Sequence, residues 1–589
     1  MKQILYFFSA FQIIIIGPIL FSCSSPLKNA NWDVHAEKRK ALLIVKNYPE
    51  GHIAHAEHAM VVTQGISSSR AGLLMFKKGG NIADAAAAVS FAISVERPQS
   101  TGLGGGGFLL FKKKDLKIPL AFDFREMAPL NATRNMYLDD IGLVIPEKSL
   151  NGAFSIGVPG LVAGIVQFQR KYGKLPLSVV MAPAIELAEK GFKVYHELGN
   201  ALLERENILS KFSGSKKIFF KGDSVLKEGD MLFQPDLAHS LKLIAKKGEK
   251  VFYQGEIGEA IVAESKRNGG ILKMDDLRQY QVKERIPVRG IFKGHTIYSM
   301  SPPSSGGTHI IQLLNMLEND DLKKWGVHHP ESMHLVASSM RLAFRDRAKY
   351  MGDDDFVEVP VVGLTSKKYA KMLRGEINIS KASSGEADKD FDVFKYETDH
   401  TTHFTIMDGE GNAIVSTQTI NGHFGSGVVA SGTGIVLNNE MDDFAAKVGA
   451  SNLFGALGGE KNLILPRKRP LSSMSPTVIL KDGVPVLALG TPSGTKILTC
   501  VFQTILNVLE FDLTLPEAVA ALRYHHQYSP NKIFYEPGPW DSSILSAIKN
   551  MGHQVEEKDL GCLIQAASFS AGDILGVSDP RGEGLAVGL

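Results

Sequence analysis

The feature that most constrains the fold of this chain is an abrupt change of hydrophobic period at Thr401. The run SKASSGEADKDFDVFKYETDH (380–400) is polar and charge-rich, which is typical of a solvated loop. Beyond it, THFTIMD, AIVSTQTI, GIVLNN, PTVILKDG and PVLALGT alternate or run apolar between Gly, Asn and Asp turns, and this pattern predicts β-strands. Residues 155–350 show mostly helical spacing instead, as in LSVVMAPAIELAEKGF.

Strand-like pairs also precede the loop, within 107–124 and 287–299. Two helices are predicted in SSSRAGLLMFKKGGNIADAAAAVSFAISVERPQ, where Gly79 and Gly80 end the first and Asn81 caps the second. Near the end of the chain, TKILTCVFQTILNVLEF and PEAVAALRYHH predict two more helices. Strands on both sides of the loop indicate one mixed α+β core rather than two independent domains.

The first 22 residues resemble a bacterial lipoprotein signal. A lysine precedes the apolar run ILYFFSAFQIIIIGPILFS, and Ser22 stands directly before Cys23. We expect cleavage after residue 22, lipidation of Cys23 and a polar tether over 23–58; an ordinary signal with an incidental cysteine is the alternative. Either way we expect an exported, periplasmic protein, which a lipid would anchor to the membrane without spanning it.

Composition narrows the choice of function classes. A net charge of +3 with 22% charged residues gives no field that would favour nucleic acid. Cys500 and Cys562 are the cysteines left after Cys23, and both have apolar or Gly-rich neighbours. One disulfide is possible, but we expect two buried free thiols.

Three common site motifs lack the context that they require. The glycines of TGLGGGG (101–107) have dinucleotide spacing, but a helix precedes them and a strand follows, so we expect a turn that permits close backbone packing. The histidines within 52–58 have no second group of ligands, and the aspartates at 353–355 lack the spacing of a calcium loop. No metal site is therefore predicted.

Thr401 becomes a candidate nucleophile if the chain is cut between His400 and Thr401. A threonine hydroxyl is a poor nucleophile without a base. A free α-amine has a pKa of about 7.7–8.0 and would place that base on the same residue. The residues alone leave a plain threonine at the start of a strand as the alternative, just as they leave Ser472 and Ser473 as turn-capping hydroxyls.

Longer motifs carry a family resemblance: LGGGGF, DFREMAP, PPSSGG, TTHFTIMD, STQTIN, LNNEMDDF, RPLSSMSPT and a final DPR, in that order. Over about residues 59–585 the chain resembles the γ-glutamyltransferases (γ-glutamyl transpeptidases), which are N-terminal-nucleophile hydrolases. The resemblance implies a four-layer αββα sandwich formed jointly by a large subunit (59–400) and a small subunit (401–589) of one precursor. It also implies that the precursor cuts itself before Thr401, and it requires no metal and no organic cofactor.

The resemblance assigns a role to each matching residue. Thr401 is the nucleophile for the cut and for the reaction with γ-glutamyl compounds such as glutathione, and Thr419 contacts its amine and hydroxyl. The oxyanion donors are the backbone amides of Ser493 and Gly494, in a GTPSGT turn where the family has PGG. Ser493 is costly there if the turn needs a positive φ. The α-carboxylate and the α-ammonium of the substrate are held by two groups of residues: Arg125, Ser472 and Ser473 for the first, and Asn421, Glu440 and Asp443 for the second.

Two further expectations follow from the resemblance. The segment 444–459 resembles a lid loop, with Phe454 where a tyrosine is common, so we expect the ring to shield the pocket without a hydroxyl hydrogen bond. The intermediate is released to water or to an amino acid or peptide acceptor. The alternatives are a cephalosporin or glutaryl acylase, a poly-γ-glutamate-processing enzyme, and a non-catalytic lipoprotein that binds γ-glutamyl peptides.

Overall fold

Period-two alternation produces two large antiparallel sheets in the computed structural model, which describes residues 40–383 and 401–589. The signal segment, Cys23 and His400 lie outside the described residues. The strands of the two sheets, in chain order, are β1 (Ile53–Ala56), β2 (Ala59–Thr63), β3 (Gly106–Lys112), β4 (Leu120–Asp123), β5 (Lys283–Arg285), β6 (Val288–Phe292), β7 (His295–Ser299), β8 (Thr402–Asp408), β9 (Ala413–Thr419), β10 (Thr477–Lys481), β11 (Val484–Gly490), β12 (Gln565–Ser570), β13 (Asp573–Ser578) and β14 (Leu585–Gly588).

Each sheet mixes strands from before and after the 380–400 loop. The nucleophile sheet, which we name for Thr401, has the order β14-β2-β8-β9-β3-β4-β5. The facing sheet has the order β1-β13-β12-β11-β10-β7-β6. All neighbours in both sheets are antiparallel. The two sides of the loop therefore form one core, as the sequence predicts.

Helices cover the outer face of each sheet. In the described residues they are α1 (Ile66–Lys77), α2 (Ile82–Glu96), α3 (Leu161–Tyr172), α4 (Leu177–Lys190), α5 (His196–Leu209), α6 (Ser213–Phe219), α7 (Pro235–Lys247), α8 (Lys250–Tyr253), α9 (Glu256–Arg267), α10 (Met274–Arg278), α11 (Gly306–Leu317), α12 (Pro330–Tyr350), α13 (Val361–Leu364), α14 (Lys367–Glu376), α15 (Lys496–Leu509), α16 (Leu515–Ala520) and α17 (Ser542–Asn550). Helices α1 and α2 pack on the nucleophile sheet, and α11 and α15 pack on the facing sheet. None of the described helices is long and apolar enough to cross a membrane.

Alternation along each strand divides the core into layers. On β8, Phe404 and Ile406 pack among the helices, whereas Met407 packs between the sheets. The sheets are also joined there by the Thr405 hydroxyl, which donates to the Gln565 carbonyl at 2.9 Å. The result is the four-layer αββα sandwich that the family resemblance implies.

Short strands and 3₁₀ turns complete the structure outside the two sheets. The strands are Phe192–Lys193, Phe220–Lys221, Ser224–Val225, Met231–Leu232, Val429–Ala430, Ile435–Val436, Tyr524–His525, Ile533–Tyr535 and Val555–Glu557. The 3₁₀ turns are Ala153–Ser155, Leu322–Lys324, Glu440–Asp443 and Glu460–Asn462.

Several local predictions hold and others need correction. Asn81 caps α2 by accepting from the N–H groups of Ala83 and Asp84, as predicted. GIVLNN forms only the two-residue strand Ile435–Val436. The helix predicted for PEAVAALRYHH ends at Ala520, and its last residues continue into the strand Tyr524–His525. The end of the expected tether is strand β1, paired along its whole length with β13.

The cysteine prediction is wrong. Cys500 and Cys562 form a disulfide, with Cα atoms 6.5 Å apart and a sequence separation of 62. Apolar surroundings suit a disulfide as well as a thiol, so local composition does not distinguish the two. The bridge joins α15 to the segment that precedes β12.

Candidate active site

Thr401 lies at the start of β8 and is buried, with 5% of its surface exposed. Because Thr402 pairs with Gln418 on β9, Thr401 lies next to Thr419, the last residue of that strand. The two hydroxyl oxygens are 3.5 Å apart, and Thr419 Oγ1 also accepts the Asn421 N–H at 2.8 Å. The predicted nucleophile and its predicted partner are therefore neighbours.

The glycine-rich turn before β3 lets the backbone approach this pair. A Cβ atom added at Gly105 would lie 2.0 Å from the Thr419 carbonyl oxygen, and one added at Gly104 would lie 2.2 Å from that of Val436. These contacts exclude any side chain at either position. The close backbone packing expected for this turn is present.

Thr401 separates two cavities. The inner cavity is lined by Arg125, Arg347, Thr401, Thr419, Asn421, Glu440, Asp443, Asn452, Phe454, Leu471, Ser472, Ser473, Met474, Gly494, Thr495 and Ile497. The outer cavity, with a volume of about 610 Å³, opens on the other side of Thr401 and includes Gln64, Glu197, Lys558, Arg581 and Glu583 in its wall. A group bound at Thr401 can thus extend in two directions at once.

The inner cavity holds a buried cluster of charges around Arg125. Its Nη1 contacts Glu440, its Nη2 donates to Asp443 at 2.5 Å, and Glu126 lies 3.9 Å from Nη1. The two acids share one side of the 3₁₀ turn Glu440–Asp443 because residues i and i+3 eclipse in that helix type. The arginine expected to bind carboxylate and the acids expected to bind ammonium are thus paired with each other in this structure.

Burial shifts the acids of this cluster toward the protonated form. It raises the pKa of Glu126 to about 7, although Arg125 opposes the shift. It also raises the pKa values of Glu440 and Asp443, again against the attraction of Arg125. Both carboxylate oxygens of Glu126 and Oε2 of Glu440 lack a hydrogen-bond partner among the described residues. The cluster carries more acid than its cations neutralise, and it retains unsatisfied acceptors.

Ser472 and Ser473 reach the inner cavity through the PPSSGG turn before α11. The Ser305 N–H donates to the Ser472 carbonyl, and the Ser472 N–H donates to the Pro303 carbonyl, each at 2.8 Å. Ser472 Oγ accepts the Met474 N–H at 3.1 Å, and Ser473 Oγ accepts from Arg347 Nη2 at 3.2 Å. Both hydroxyls accept a hydrogen bond from the protein, and each can donate its own proton to another acceptor.

The turn predicted to hold an oxyanion adopts the conformation in which Ser493 is costly. Ser493 has φ +105° and Gly494 has φ +51°. The Ser493 hydroxyl donates to the Leu560 carbonyl, two residues before Cys562 of the disulfide. The turn leads directly into the N-terminus of α15, whose unpaired N–H groups favour negative charge nearby.

The lid segment closes over the inner cavity without a tyrosine hydroxyl. The Phe454 ring packs on Gly494, where an added Cβ would lie 2.2 Å from the ring. Asn452 Nδ2 donates to Asp443 at 2.8 Å, the Leu453 N–H donates to Asp442 at 2.7 Å, and Gln527 Nε2 donates to the Gly455 carbonyl at 3.2 Å. These three hydrogen bonds, rather than a tyrosine hydroxyl, therefore hold the lid segment closed.

The other candidate motifs have structural partners. The three aspartates of 353–355 come close enough to hold a metal ion, but Arg285 contacts Asp354 at 2.9 Å and Asp355 at 2.7 Å. His52 Nε2 contacts the Gly582 carbonyl, and His55 pairs with Asp573 at 2.7 Å, so they do not share a ligand. These contacts account for the residues as parts of the scaffold.

Two residues of the site escaped the sequence reasoning. Arg347 lines the inner cavity from α12, where Met340, Phe344 and Arg347 follow a helical apolar spacing. A charged residue in such a stripe is the signal that would have found it. Gln64 lines the outer cavity; its Oε1 accepts from the Thr402 hydroxyl at 2.8 Å and the His403 N–H at 2.9 Å. Gln64 thus fixes the strand that follows Thr401, but no motif marks it.

Comparison with known proteins identifies the relatives of the chain. The sequence profile of the family described as Gamma-glutamyltranspeptidase matches residues 68–589. The glutathione hydrolase proenzyme of Escherichia coli (strain K12) is 42% identical over 532 residues, which cover 90% of this chain and 91% of that protein. The acylase ACY 1 proenzyme of Pseudomonas sp. (strain SE83) is 37% identical and covers 80% and 83%.

A solved structure supports the fold. Cephalosporin acylase from Bacillus halodurans superposes with a TM-score of 0.81, and the match covers 92% of this chain and 98% of that one at 24% sequence identity. At that identity the likeness concerns the αββα architecture alone.

Proposed function

This chain belongs to the gamma-glutamyltranspeptidase family, and from that premise we propose how its own residues carry out the reaction. It is a γ-glutamyltransferase and glutathione hydrolase of the N-terminal-nucleophile type, made as a proenzyme. The observation that carries the assignment of residues is the inner cavity. Thr401 lines that cavity together with residues from separate parts of the sequence: Arg125, Asn421, Glu440, Asp443, Ser472 and Ser473.

Maturation begins at the His400–Thr401 bond. Thr401 Oγ attacks the His400 carbonyl carbon, the C–N bond breaks, and the amine takes up a proton. Water then hydrolyses the ester, which leaves a carboxylate on His400 and a free α-amine on Thr401. The products are the large subunit, which ends at His400, and the small subunit, residues 401–589.

The free amine then serves as base for the hydroxyl of its own residue. An α-amine ordinarily has a pKa of about 7.7–8.0, which suits a general base near neutral pH. Thr401 Oγ attacks the γ-carbonyl, and the oxyanion receives the N–H groups of Ser493 and Gly494 at the N-terminus of α15. One such donor is worth about 3–4 kcal/mol of transition-state stabilisation. The Thr419 hydroxyl, 3.5 Å from Thr401 Oγ1, holds the nucleophile in place.

The inner cavity selects the γ-glutamyl head. The protons of Ser472 and Ser473, together with Arg125, bind the α-carboxylate. Asn421, Glu440 and Asp443 accept from the α-ammonium. Only a γ-linked glutamate leaves both α-groups free for this recognition. The leaving group departs through the outer cavity, and water or the amine of an amino acid or peptide enters by the same route.

Maturation is tested on the purified protein. We expect two bands of about 40 and 20 kDa from the mean residue mass, with the smaller one starting at Thr401. Thr401→Ala should stay uncut and inactive. Thr402→Ser is the matched control, because it changes the neighbouring threonine but keeps the hydroxyl that bonds Gln64. A mature, active enzyme in one piece would refute the mechanism.

A related acylase activity is the second candidate, since an acylase proenzyme is among the relatives. A glutaryl donor has the carboxylate but no α-ammonium, so Asn421, Glu440 and Asp443 would have no partner. We expect γ-glutamyl donors to be preferred strongly over glutaryl donors of the same amine. The reverse preference would favour the acylase.

We propose further that the protein is exported and anchored by a lipid on Cys23. The signal-like N-terminus supports this proposal. The Cys500–Cys562 disulfide also supports it, since disulfides persist in oxidising compartments. Intact mass and N-terminal sequencing decide it: a large subunit that starts at unmodified residue 24 or later would exclude the anchor.

A further inference from the structure

We infer that Arg347 is a positioning residue for the α-carboxylate of the substrate, which acts by orienting the Ser473 hydroxyl and by adding a second positive charge behind it. The inference rests on the proposed γ-glutamyl recognition and adds a residue to it. Arg347 lies on α12 in the large subunit, whereas Ser473 lies in the small subunit.

The first observation is a buried cation without a carboxylate. Arg347 is 5% exposed and takes part in none of the ion pairs within 4.0 Å that the described residues form, although Asp443 attracts it from a greater distance. The buried Arg125 and Arg523, in contrast, each contact a carboxylate. Burying an unpaired charge is costly, so a buried arginine that faces a cavity indicates an anion as its partner.

The second observation is the set of hydrogen bonds that Arg347 makes instead. Its Nε donates to Ser305 Oγ at 3.0 Å, and its Nη2 donates to Ser473 Oγ at 3.2 Å. Ser305 in turn gives its own proton to the Ser472 carbonyl at 2.9 Å. Arg347 and Ser305 therefore form a support beneath the serine pair, held by two hydrogen bonds from one planar group.

The direction of the Ser473 proton follows from this arrangement. Its oxygen already accepts from Arg347, and the Ser305 hydroxyl, 3.5 Å away, is at most a weak acceptor for the Ser473 proton. The proton is therefore left for an acceptor in the inner cavity. A carboxylate oxygen fits this position, because it accepts the hydroxyl proton and lies in the field of Arg125 and Arg347.

The chemistry of the neighbours supports an anion rather than a cation. The pKa of Arg347 is lowered to about 10: burial is the main cause, Asp443 opposes it, and the positive charge of Arg125 adds to the lowering. Asp443 is itself paired with Arg125. A substrate carboxylate placed between the two arginines relieves their repulsion.

The test compares two donors on Arg347→Gln, Arg347→Lys and the wild type. One is a γ-glutamyl anilide, and the other is the same compound with its α-carboxylate converted to the carboxamide. We expect Arg347→Gln to raise the KM of the carboxylate donor about 10- to 100-fold, as for a lost hydrogen bond to a charged group, with kcat nearly unchanged. The KM of the carboxamide donor should change less than about 3-fold.

A double-mutant cycle tests the route through Ser473. In a Ser473→Ala background, Arg347→Gln should have a much smaller effect than in the wild type. Equal losses for both donors, or full additivity with Ser473→Ala, would overturn the inference and leave Arg347 a structural residue.

Failure of maturation does not block the test. If Arg347→Gln stays uncut, Arg347→Lys decides, since it keeps the charge but cannot hold Ser305 and Ser473 together. An intermediate loss confined to the carboxylate donor supports the inference, and an equal loss for both donors refutes it. A wild type that hydrolyses neither donor would instead refute the proposed function itself.

Discussion

Replacing Ser493 by alanine should destabilise the protein more than replacing it by glycine, although alanine is the better residue almost everywhere else. The reason is the backbone: Ser493 has φ +105°, in the region that favours glycine. Its hydroxyl donates to the Leu560 carbonyl, and this hydrogen bond helps to hold a residue that the turn would otherwise disfavour.

The structure allows the magnitudes to be worked out. A non-glycine residue in a sparsely populated region costs about 1–3 kcal/mol. The hydrogen bond to Leu560 contributes about 0.5–1.5 kcal/mol. Ser493→Ala loses the bond and keeps the strain, so it should cost about 1 kcal/mol. Ser493→Gly also loses the bond, and it raises the conformational entropy of the unfolded chain, which costs about 0.4–1 kcal/mol. Because it relieves the backbone strain, its net change in the free energy of unfolding should be near zero.

Thermal unfolding of the mature enzyme measures the order. We expect the glycine variant to melt about 1 °C above the alanine variant, because a difference of about 1 kcal/mol is divided by the large unfolding entropy of a chain of this length. Both variants keep the N–H groups of residues 493 and 494, so kcat should fall less than about 3-fold in the glycine variant, far below the effect of losing an oxyanion donor. If the alanine variant proves as stable as the glycine variant, the positive φ carries no strain and the reasoning fails.

Three other predictions concern the charge cluster, the disulfide and the lid. Because burial raises the pKa of Glu126 to about 7, this residue should be neutral below pH 7 and charged above it. The charged form competes with the substrate carboxylate for Arg125, so the KM for γ-glutamyl donors should rise from pH 6 to 8. Glu126→Gln should flatten that profile. The folded state holds the Glu126 proton more tightly than the unfolded state, so the free energy of unfolding should also fall as pH rises from 4.5, the ordinary pKa of a glutamate, toward 7. Glu126→Gln should abolish this contribution. If the pH profile of the variant matches that of the wild type, Glu126 is not the titrating group. Joint replacement of Cys500 and Cys562 by alanine should cost up to about 4 kcal/mol for a 62-residue loop, seen as a lower melting temperature that reductant does not lower further. Gln527→Ala removes the bonds to the lid carbonyls and should raise KM about 3- to 10-fold with little change in kcat; a loss of kcat alone would exclude a latch.

Local sequence patterns predicted those parts of the fold that depend on local forces. The strand at 402–408 was predicted from its alternation, and the cap at Asn81 from its side-chain chemistry. The glycine-rich turn was predicted from the absence of side chains, and the structure shows close backbone contacts on two of its glycines. The family resemblance identified the candidate catalytic and substrate-binding residues, and the fold places them around the inner cavity, except for Ser493, whose neighbour Gly494 lines it.

Features that depend on distant partners escaped prediction. Cys500 and Cys562 have apolar neighbours in sequence, and only the packing of α15 against the segment before β12 brings their sulfur atoms together. The φ of Ser493 is imposed by the turn between β11 and α15, which no residue preference reveals when a serine occupies it. Arg347 follows the apolar stripe of its helix, and its partner Ser473 lies 126 residues away in sequence.

The pairing of Arg125 with Glu440 and Asp443 bears directly on substrate choice. A γ-glutamyl head brings one negative and one positive α-group, so it adds no net charge to a buried cluster that already holds three acids against two arginines. A glutaryl head brings the negative group alone and leaves Glu440 and Asp443 without a new partner. A site built to bond a charged group rejects an analogue that lacks it by about 10⁴-fold or more, because its own buried groups stay unpaired.

Protonation of Glu126 would remove one of the three acids, so discrimination against glutaryl donors should weaken below pH 7 and strengthen above it, in step with the pKa of that residue. A selectivity that does not change across this range would separate Glu126 from substrate recognition and leave Glu440 and Asp443 as its source.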